Sequence, residues 1–531
     1  MKKFFIVLTV LFLSLGFLQA YDLPETIVVF DDNEYRWFNF SWAGDQNFDG
    51  YDDVLFRDRE HNMIRLYYGG EPMNNIPDFN FLPHVENQII SGHNYFVGRL
   101  TDKSNHYMAV TSLIEVDNAE SLRELNIYAM GEDIDSEPEY SLTREYLNYN
   151  YQISYGEKNR PGDINGDSYD DLIGWEATDS TERLLAFLGG VDFDTIPDWK
   201  GIEYIIYQAQ GTSQYASGYD VNGDGYDDLL YKVLKSTEDQ FIYALFLGGS
   251  PPDTMPLFEI GIHDLSTEEY DRGIMNFALL PDVNGDGYDD WGFYWYEHRE
   301  NFERWDGFTI YFGGEEPDDE PDIDLQGKEF FEQESVNGAI TGGDFNGDGV
   351  GDIATVMSSA YPFGNAEAHI HFGSRWLNRE PDIIINLASD YNGDLFAFYE
   401  YIGAVGDYNG DNIDDFVISA ETKAVIFAGN RDWEVDVEEK ELPEEFELSL
   451  EAYPNPFNSS TSVSFTLSCP SRVSFSIHDL SGRVIENALV GQYQAGEHSF
   501  NLNGASLSSG IYLARLNAGD KICTCKLVCL R

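Results

Sequence analysis

The sequence predicts an all-β protein: a seven-bladed β-propeller followed by a small antiparallel β-sandwich. Three observations predict it. Aromatic residues make up 15% of the chain, nearly all of them Phe and Tyr, and 49 glycines punctuate it, a composition that suits strands joined by tight turns. An acidic loop recurs at nearly regular intervals. Beyond residue 447 the pattern changes to period-two strands, and all four cysteines fall in that last stretch.

The loop is clearest in DVNGDGYDDLLY, Asp220 to Tyr231. Near copies start at Asp45 (DQNFDGYDD), Asp163 (DINGDSYDD), Asp282 (DVNGDGYDD), Asp344 (DFNGDGVGD) and Asp407 (DYNGDNIDD), and a degenerate seventh lies over RLTDKSNHYMAV, Arg99 to Val110, behind Gly98. The intervals between starts are 54, 64, 57, 62, 62 and 63 residues, too regular for chance and too long for a helix pair or a β-helix coil.

Each unit has a second landmark, a strand ending in glycine: RLYYGG at 65–70, NIYAMG at 126–131, LAFLGG at 185–190, LFLGG at 245–249, IYFGG at 310–314, IHFG at 370–373 and VIFAG at 425–429. A third follows in most units, an acidic proline turn such as Pro77-Asp78, Pro197-Asp198, Pro321-Asp322 or Pro381-Asp382, and then another short strand. Four strands in about sixty residues, seven times over, is the arithmetic of a propeller. A row of separate sandwiches would bury too little surface per unit. Either TIVVF (Thr26 to Phe30) or WEVDV (Trp433 to Val437) supplies the outer strand that closes the ring, and the sequence leaves both open.

Calcium takes six to eight oxygens at about 2.3–2.6 Å, so a site needs several oxygen donors converging from a sharply bent backbone. With Asp220 as position one, positions one, three, five and nine (Asp220, Asn222, Asp224, Asp228) offer side-chain oxygens and Tyr226 at position seven a carbonyl. Gly225 at position six permits the bend. An EF-hand needs Glu at position twelve, where Tyr231, Gly174 and Phe293 stand instead, and it needs flanking helices. A dockerin pair would show shorter spacing and helices. Asx-rich turns that merely solvate a rim would not require one pattern six times.

On these loops the chain resembles the FG-GAP family, the calcium-loop propeller repeat of integrin α-chains and of many exported bacterial proteins. The match covers Asp45, Asn47, Asp49 and Asp53; Asp163, Asn165, Asp167 and Asp171; Asp220, Asn222, Asp224 and Asp228. It continues over Asp282, Asn284, Asp286 and Asp290; Asp344, Asn346, Asp348 and Asp352; Asp407, Asn409, Asp411 and Asp415. The chain departs from the family at the Gly-Ala-Pro box, where GWEA (174–177) or YKVL (231–234) follows the loop. The resemblance implies about six calcium sites. With dissociation constants of about 0.1–1 mM and about 2 mM calcium, each site contributes about 0.6–1.8 kcal/mol, so six would rival the net stability of a domain. Structural calcium in place of disulfides is the expectation.

The termini carry addresses. Lys2 and Lys3 precede an apolar run from Phe4 to Leu18, which reads as a signal peptide over 1–20 cleaved after Ala20, with no other segment able to span a bilayer. The propeller is expected over 21–433 and an acidic linker over 434–447. The sandwich is expected over 448–531. That last module is similar to the C-terminal sorting domain of type IX secretion substrates, through Tyr453-Pro454-Asn455-Pro456-Phe457, Asp479-Leu480-Ser481-Gly482-Arg483, Gly510-Ile511-Tyr512-Leu513 and the basic end Lys526 to Arg531. The resemblance implies export to the surface or medium of a bacterium with an outer membrane, with that membrane's secretion machinery as partner. Cys523, Cys525 and Cys529 share parity on one strand face, where free thiols or a disulfide are equally open; Cys469 is the fourth cysteine.

A formal charge of −64 repels a polyanion, which excludes nucleic acid as a partner. No G-x-S-x-G elbow, H-E-x-x-H helix or phosphate loop occurs, and His369 with His371 reads as strand packing. The expected function is noncatalytic binding or adhesion to an extracellular protein or glycan. A polysaccharide-degrading enzyme built on the propeller is the alternative, since a carboxylate pair among 95 acids decides nothing. Trp291, Tyr294, Trp295 and Tyr296 are expected in a blade core rather than stacked on sugars.

Overall fold

The structure is a computed structural model. It describes residues 24–530 apart from 32–39, 83–87, 115–121, 143–161, 207–213, 262–270, 360–366, 387–398, 434–448 and several connections of four residues or fewer. The expected signal segment and acidic linker lie outside the described residues, as does Cys469. The chain forms two compact units, Met1–Val435 and Asp436–Arg531.

The first unit is all β. Among the described residues it holds seven four-stranded antiparallel sheets, and it is a β-propeller. Blade one pairs Phe40–Gly44, Asp53–Asp58, Met63–Tyr67 and Phe79–Phe81 in that order; blades two, four, five and six repeat the meander. In blade three the outer edge is split into Trp199–Lys200 and Tyr204–Ile205, and the inner edge shows as a Gly162–Asp171 bridge. The innermost strands stand side by side, so that Phe40–Gly44 of blade one touches both Gln88–Gly98 of blade two and Tyr399–Gly406 of blade seven.

Blade seven settles how the ring closes. Its sheet runs Tyr399–Gly406, Asp415–Ala420, Lys423–Phe427 and then Thr26–Asp31, with Thr26 opposite Phe427 and Phe30 opposite Ala424. TIVVF is therefore the closing strand, which occupies an otherwise open hydrogen-bonding edge. Trp433 has a different job. It is buried and stacks on Phe372 with ring centroids 6.2 Å apart.

The core lies between blades. Second and third strands bury both faces, as Leu229–Lys235 and Gln240–Phe246 do with Tyr231 and Ala244 on one side and Leu230 and Tyr243 on the other. Trp291, Tyr294 and Trp295 are fully buried, and Trp291 stacks on Tyr311 at 3.9 Å and 11°. His371 is buried against Phe308, and His369 pairs with Glu367 at 3.3 Å.

The second unit is two antiparallel sheets, one of Ser449–Tyr453, Ser460–Leu467 and Gly496–Asn503, the other of Val484–Tyr493, Ser471–His478, Gly510–Ala518 and Lys521–Cys529. Alternation along Ser460–Leu467 sends Val463, Phe465 and Leu467 inward to meet Phe475, Ile477, Leu516 and Leu527. Cys529 is buried in that core, and Cys523 and Cys525 pack against it from the same strand. The YPNPF segment secures the last strand: Asn455 donates to the Lys526 carbonyl and accepts from the Val528 N–H, and Phe457 pairs with the same strand through backbone bonds.

Candidate functional site

Each acidic loop joins the innermost strand of its sheet to the second, and all six have one geometry. The backbone is left-handed at positions four and six of every loop, from +60° at Phe48 to +94° at Gly50. Glycine fills most of these places; Phe48, Ser168 and Asn412 are the exceptions. The position-one carboxylate organises the bend. Asp220 Oδ1 accepts the N–H groups of Gly223 and Asp224 at 2.7 and 3.2 Å, and its Oδ2 accepts that of Gly225 at 2.7 Å. Asn222 accepts from the Asp224 N–H at 3.1 Å and donates to Asp224 Oδ2 at 3.0 Å, and Asp224 Oδ1 accepts from the Tyr226 N–H.

Position nine is the buried anchor. Asp228 Oδ2 accepts the Val221 N–H and Oδ1 the Gly248 N–H, both at 2.8 Å, so this carboxylate ties its loop to the glycine that ends the third strand. Asp53, Asp171, Asp290, Asp352 and Asp415 do the same with Gly69, Gly189, Gly313, Gly373 and Gly429. Glycine is required there because the chain passes close: a Cβ on Gly248 would come within 2.4 Å of the Asp227 carbonyl. The Pro-Asp turns close the same corner, with Asp198 accepting from the Leu188 N–H and Asp322 from the Phe312 N–H.

Position eight was not singled out by the sequence reading, and it joins neighbouring loops. Asp227 N–H donates to the Asp163 carbonyl at 3.1 Å while Asp227 Oδ2 accepts the Asp163 N–H at 2.7 Å. The same pair of hydrogen bonds links Asp289 to Asp220, Asp414 to Asp344, Asp52 to Asp407 and Asp170 to Arg99. Two junctions differ. Gly351 offers only its N–H to the Asp282 carbonyl, and in the degenerate second loop His106 holds this place, hydrogen-bonding the Asp45 backbone and packing on the Phe48 ring at 5.5 Å. The doubled aspartate of YDD was the available signal for the latch, because a ligand set used only one of the two.

Carboxylates are concentrated in these loops. Burial pushes Asp53, Asp171, Asp228 and Asp415 up to about 8 against the pull of their backbone hydrogen bonds, and the carboxylates of positions one and five push them further. Asp290 and Asp352 rise well above the usual range for the same reasons. Burial also lifts the latch residues Asp52 and Asp227, to about 6 and about 7. The donors of each loop are all oxygen, the chemistry a hard cation takes. An ionised carboxylate has about four acceptor sites; Asp228 uses two of them, which leaves room for a cation, whereas Asp352 uses three and Asp415 all four, so an ion in the last loop would have to displace a bond such as that from the Asn409 amide. Among the described residues, no three carboxylates, histidines or cysteines already stand as a converged metal cluster.

Residues 451–530 match the family model described as the secretion system C-terminal sorting domain. This module marks a type IX secretion substrate. The protein is accordingly secreted or held at the cell surface, and the secretion machinery is a partner of this domain. Among the described residues no helix is long and apolar enough to cross a membrane. No curated protein matches the chain. Solved structures similar to it include a eukaryotic initiation factor (7% identity, TM-score 0.33, covering 91% of this chain and 93% of that one) and the Dos1 propeller (9%, 0.34, 76% and 95%). A third is PorZ, a surface component of the type IX secretion system of Porphyromonas gingivalis (8%, 0.25, 96% and 82%). At those scores none of them carries function across, and the propeller assignment rests on the sheets described above.

Proposed function

We propose that this protein is an exported, noncatalytic binding propeller of the FG-GAP type, held rigid by about six structural calcium ions, that engages an extracellular protein or glycan. The observation that carries the proposal is the loop set: six bends with left-handed backbone at positions four and six, each with aspartates at positions one, five and nine and an asparagine at position three. Asp45, Asn47, Asp49 and Asp53 would hold one ion, and their counterparts in the loops from Asp163, Asp220, Asp282, Asp344 and Asp407 the others. A bound ion supplies positive charge to carboxylates that otherwise repel one another in a partly dry site.

Stiffening by metal suits a chain whose four cysteines all lie outside the propeller. Trp291, Tyr294 and Trp295 are spent in the blade core while Tyr296 is half-buried, so recognition is assigned to exposed loops. Incubating the mature protein with glycan and extracellular-protein arrays, while following both retention and product release, tests the reading. Saturable retention with no released product is expected; release of oligosaccharide contradicts it.

A further inference from the structure

The six loops do not stand alone, and their connections divide them. A position-one aspartate, a proposed ligand, has its backbone N–H and carbonyl held by the position-eight residue of the next loop, which is bonded in sequence to that loop's position-nine carboxylate. Fixing one loop therefore places part of its neighbour. A side-chain contact runs in parallel: a Cβ on Gly166 would come within 2.5 Å of the Tyr226 ring, one on Gly223 within 2.6 Å of the Tyr288 ring, and one on Gly410 within 2.0 Å of the Tyr51 ring.

Between the sixth and seventh blades Ile413 replaces the tyrosine and stands 3.1 Å from a Cβ on Gly347 while the Asp414–Asp344 latch is intact; at two other places both connections weaken together. Between the fifth and sixth blades position eight is Gly351, without a carboxylate, and Gly285 faces Val350 no closer than 3.8 Å. The cause is local, because a Cβ on Gly351 would come within 2.4 Å of the Pro281 ring. Between the first and second blades His106 replaces the latch aspartate and Phe48 replaces the position-four glycine.

We propose that cation occupancy is coupled within two blocks of three loops, 163–171 with 220–228 and 282–290, and 344–352 with 407–415 and 45–53, and that Pro281/Gly351 and His106 are the seams between them. The coupling rests on the calcium reading above. Within a block, an ion that orders one loop lowers the conformational cost of filling the next; across a seam it does not.

Hydrogen exchange read by mass spectrometry on the full mature chain, at a series of calcium concentrations, resolves each loop separately. Asp224→Ala removes an exposed donor from the middle of the first block, and Asn222→Ala gives a second, milder variant of the same loop. Either is expected to move the calcium midpoints of 163–171 and 282–290 upward at least about five-fold, the low end of ordinary coupling, and to leave the other three loops where they were. Pro281→Gly combined with Gly351→Asp recreates the Gly-Asp and latch pattern of blades six and seven and should carry the Asp224→Ala shift into 344–352. The coupling is overturned if only 220–228 responds, or if all six loops shift equally without the seam change. If no loop gains protection with calcium in the unmutated chain, the metal reading itself fails and takes the coupling with it.

Discussion

Asp52 accepts the Asp407 N–H at 2.9 Å and returns its own N–H to the Asp407 carbonyl at 3.0 Å, joining residues 355 positions apart. This pair locks blade one to blade seven on the loop side, while Thr26–Asp31 closes the same junction at the outer edge. Asp52→Ala leaves the Asp407 N–H without its acceptor and is expected to cost about 1–3 kcal/mol in urea unfolding. Asp52→Asn, which keeps a carbonyl oxygen there, should cost less. Two variants indistinguishable from the unmutated protein would remove the latch from the account.

The position-nine carboxylates predict a contrast within one loop. Asp290 serves two backbone N–H groups with two oxygens, and an amide can serve only one of them. Asp290→Asn should therefore lower stability by about 1–3 kcal/mol in chelator-containing buffer, whereas Asp286→Asn, at an exposed position, should stay within about 0.5 kcal/mol. Thermal melts of the pair decide it, and equal losses would mean that position nine is no anchor.

Backbone strain gives a prediction of opposite sign. Ser168 sits at φ +69° where Gly225 and Gly287 occupy the equivalent place at +87° and +93°. Ser168→Gly should raise stability by about 0.5–1 kcal/mol, and Gly225→Ala, with open space around it, should lower it by about 1 kcal/mol through backbone strain alone. Denaturant midpoints of the two single variants measure both.

Much of this was legible in the sequence. The sixty-residue recurrence of acidic loop, glycine-ended strand and Pro-Asp turn is the blade itself, because each landmark is a corner where side-chain carboxylates must satisfy backbone N–H groups. What stayed hidden were the contacts that cross between repeats. Nothing in a linear string says that Asp227 reaches Asp163, or that TIVVF rather than WEVDV lies beside Lys423–Phe427, since each is a long-range closure decided by ring geometry. The two left-handed positions per loop were half visible: Gly at position six was expected, whereas position four was masked by Phe48 in the first copy.

Acid sensitivity should appear first in blade one. Burial alone would raise Asp58, but hydrogen bonds from the His61 backbone and ring together with the Arg65 guanidinium outweigh it and hold the carboxyl below its usual range. A carboxyl depressed in the folded state contributes stability that is present above its unfolded value, about 3.9, and disappears as the pH falls through the folded value. The stability difference between the unmutated protein and Asp58→Asn should be full near pH 6 and shrink below about pH 4. A difference that is flat from pH 6 to pH 3 would show that the ion pair is not formed.

The central claim is that the rim loops hold calcium as a structural element. Its most direct test is calcium content per chain after equilibration in millimolar calcium, with thermal melts of the same sample before and after chelator. About six ions per chain are expected, with a markedly lower melting temperature once they are removed. A chain that retains no calcium and melts identically with and without chelator would contradict it.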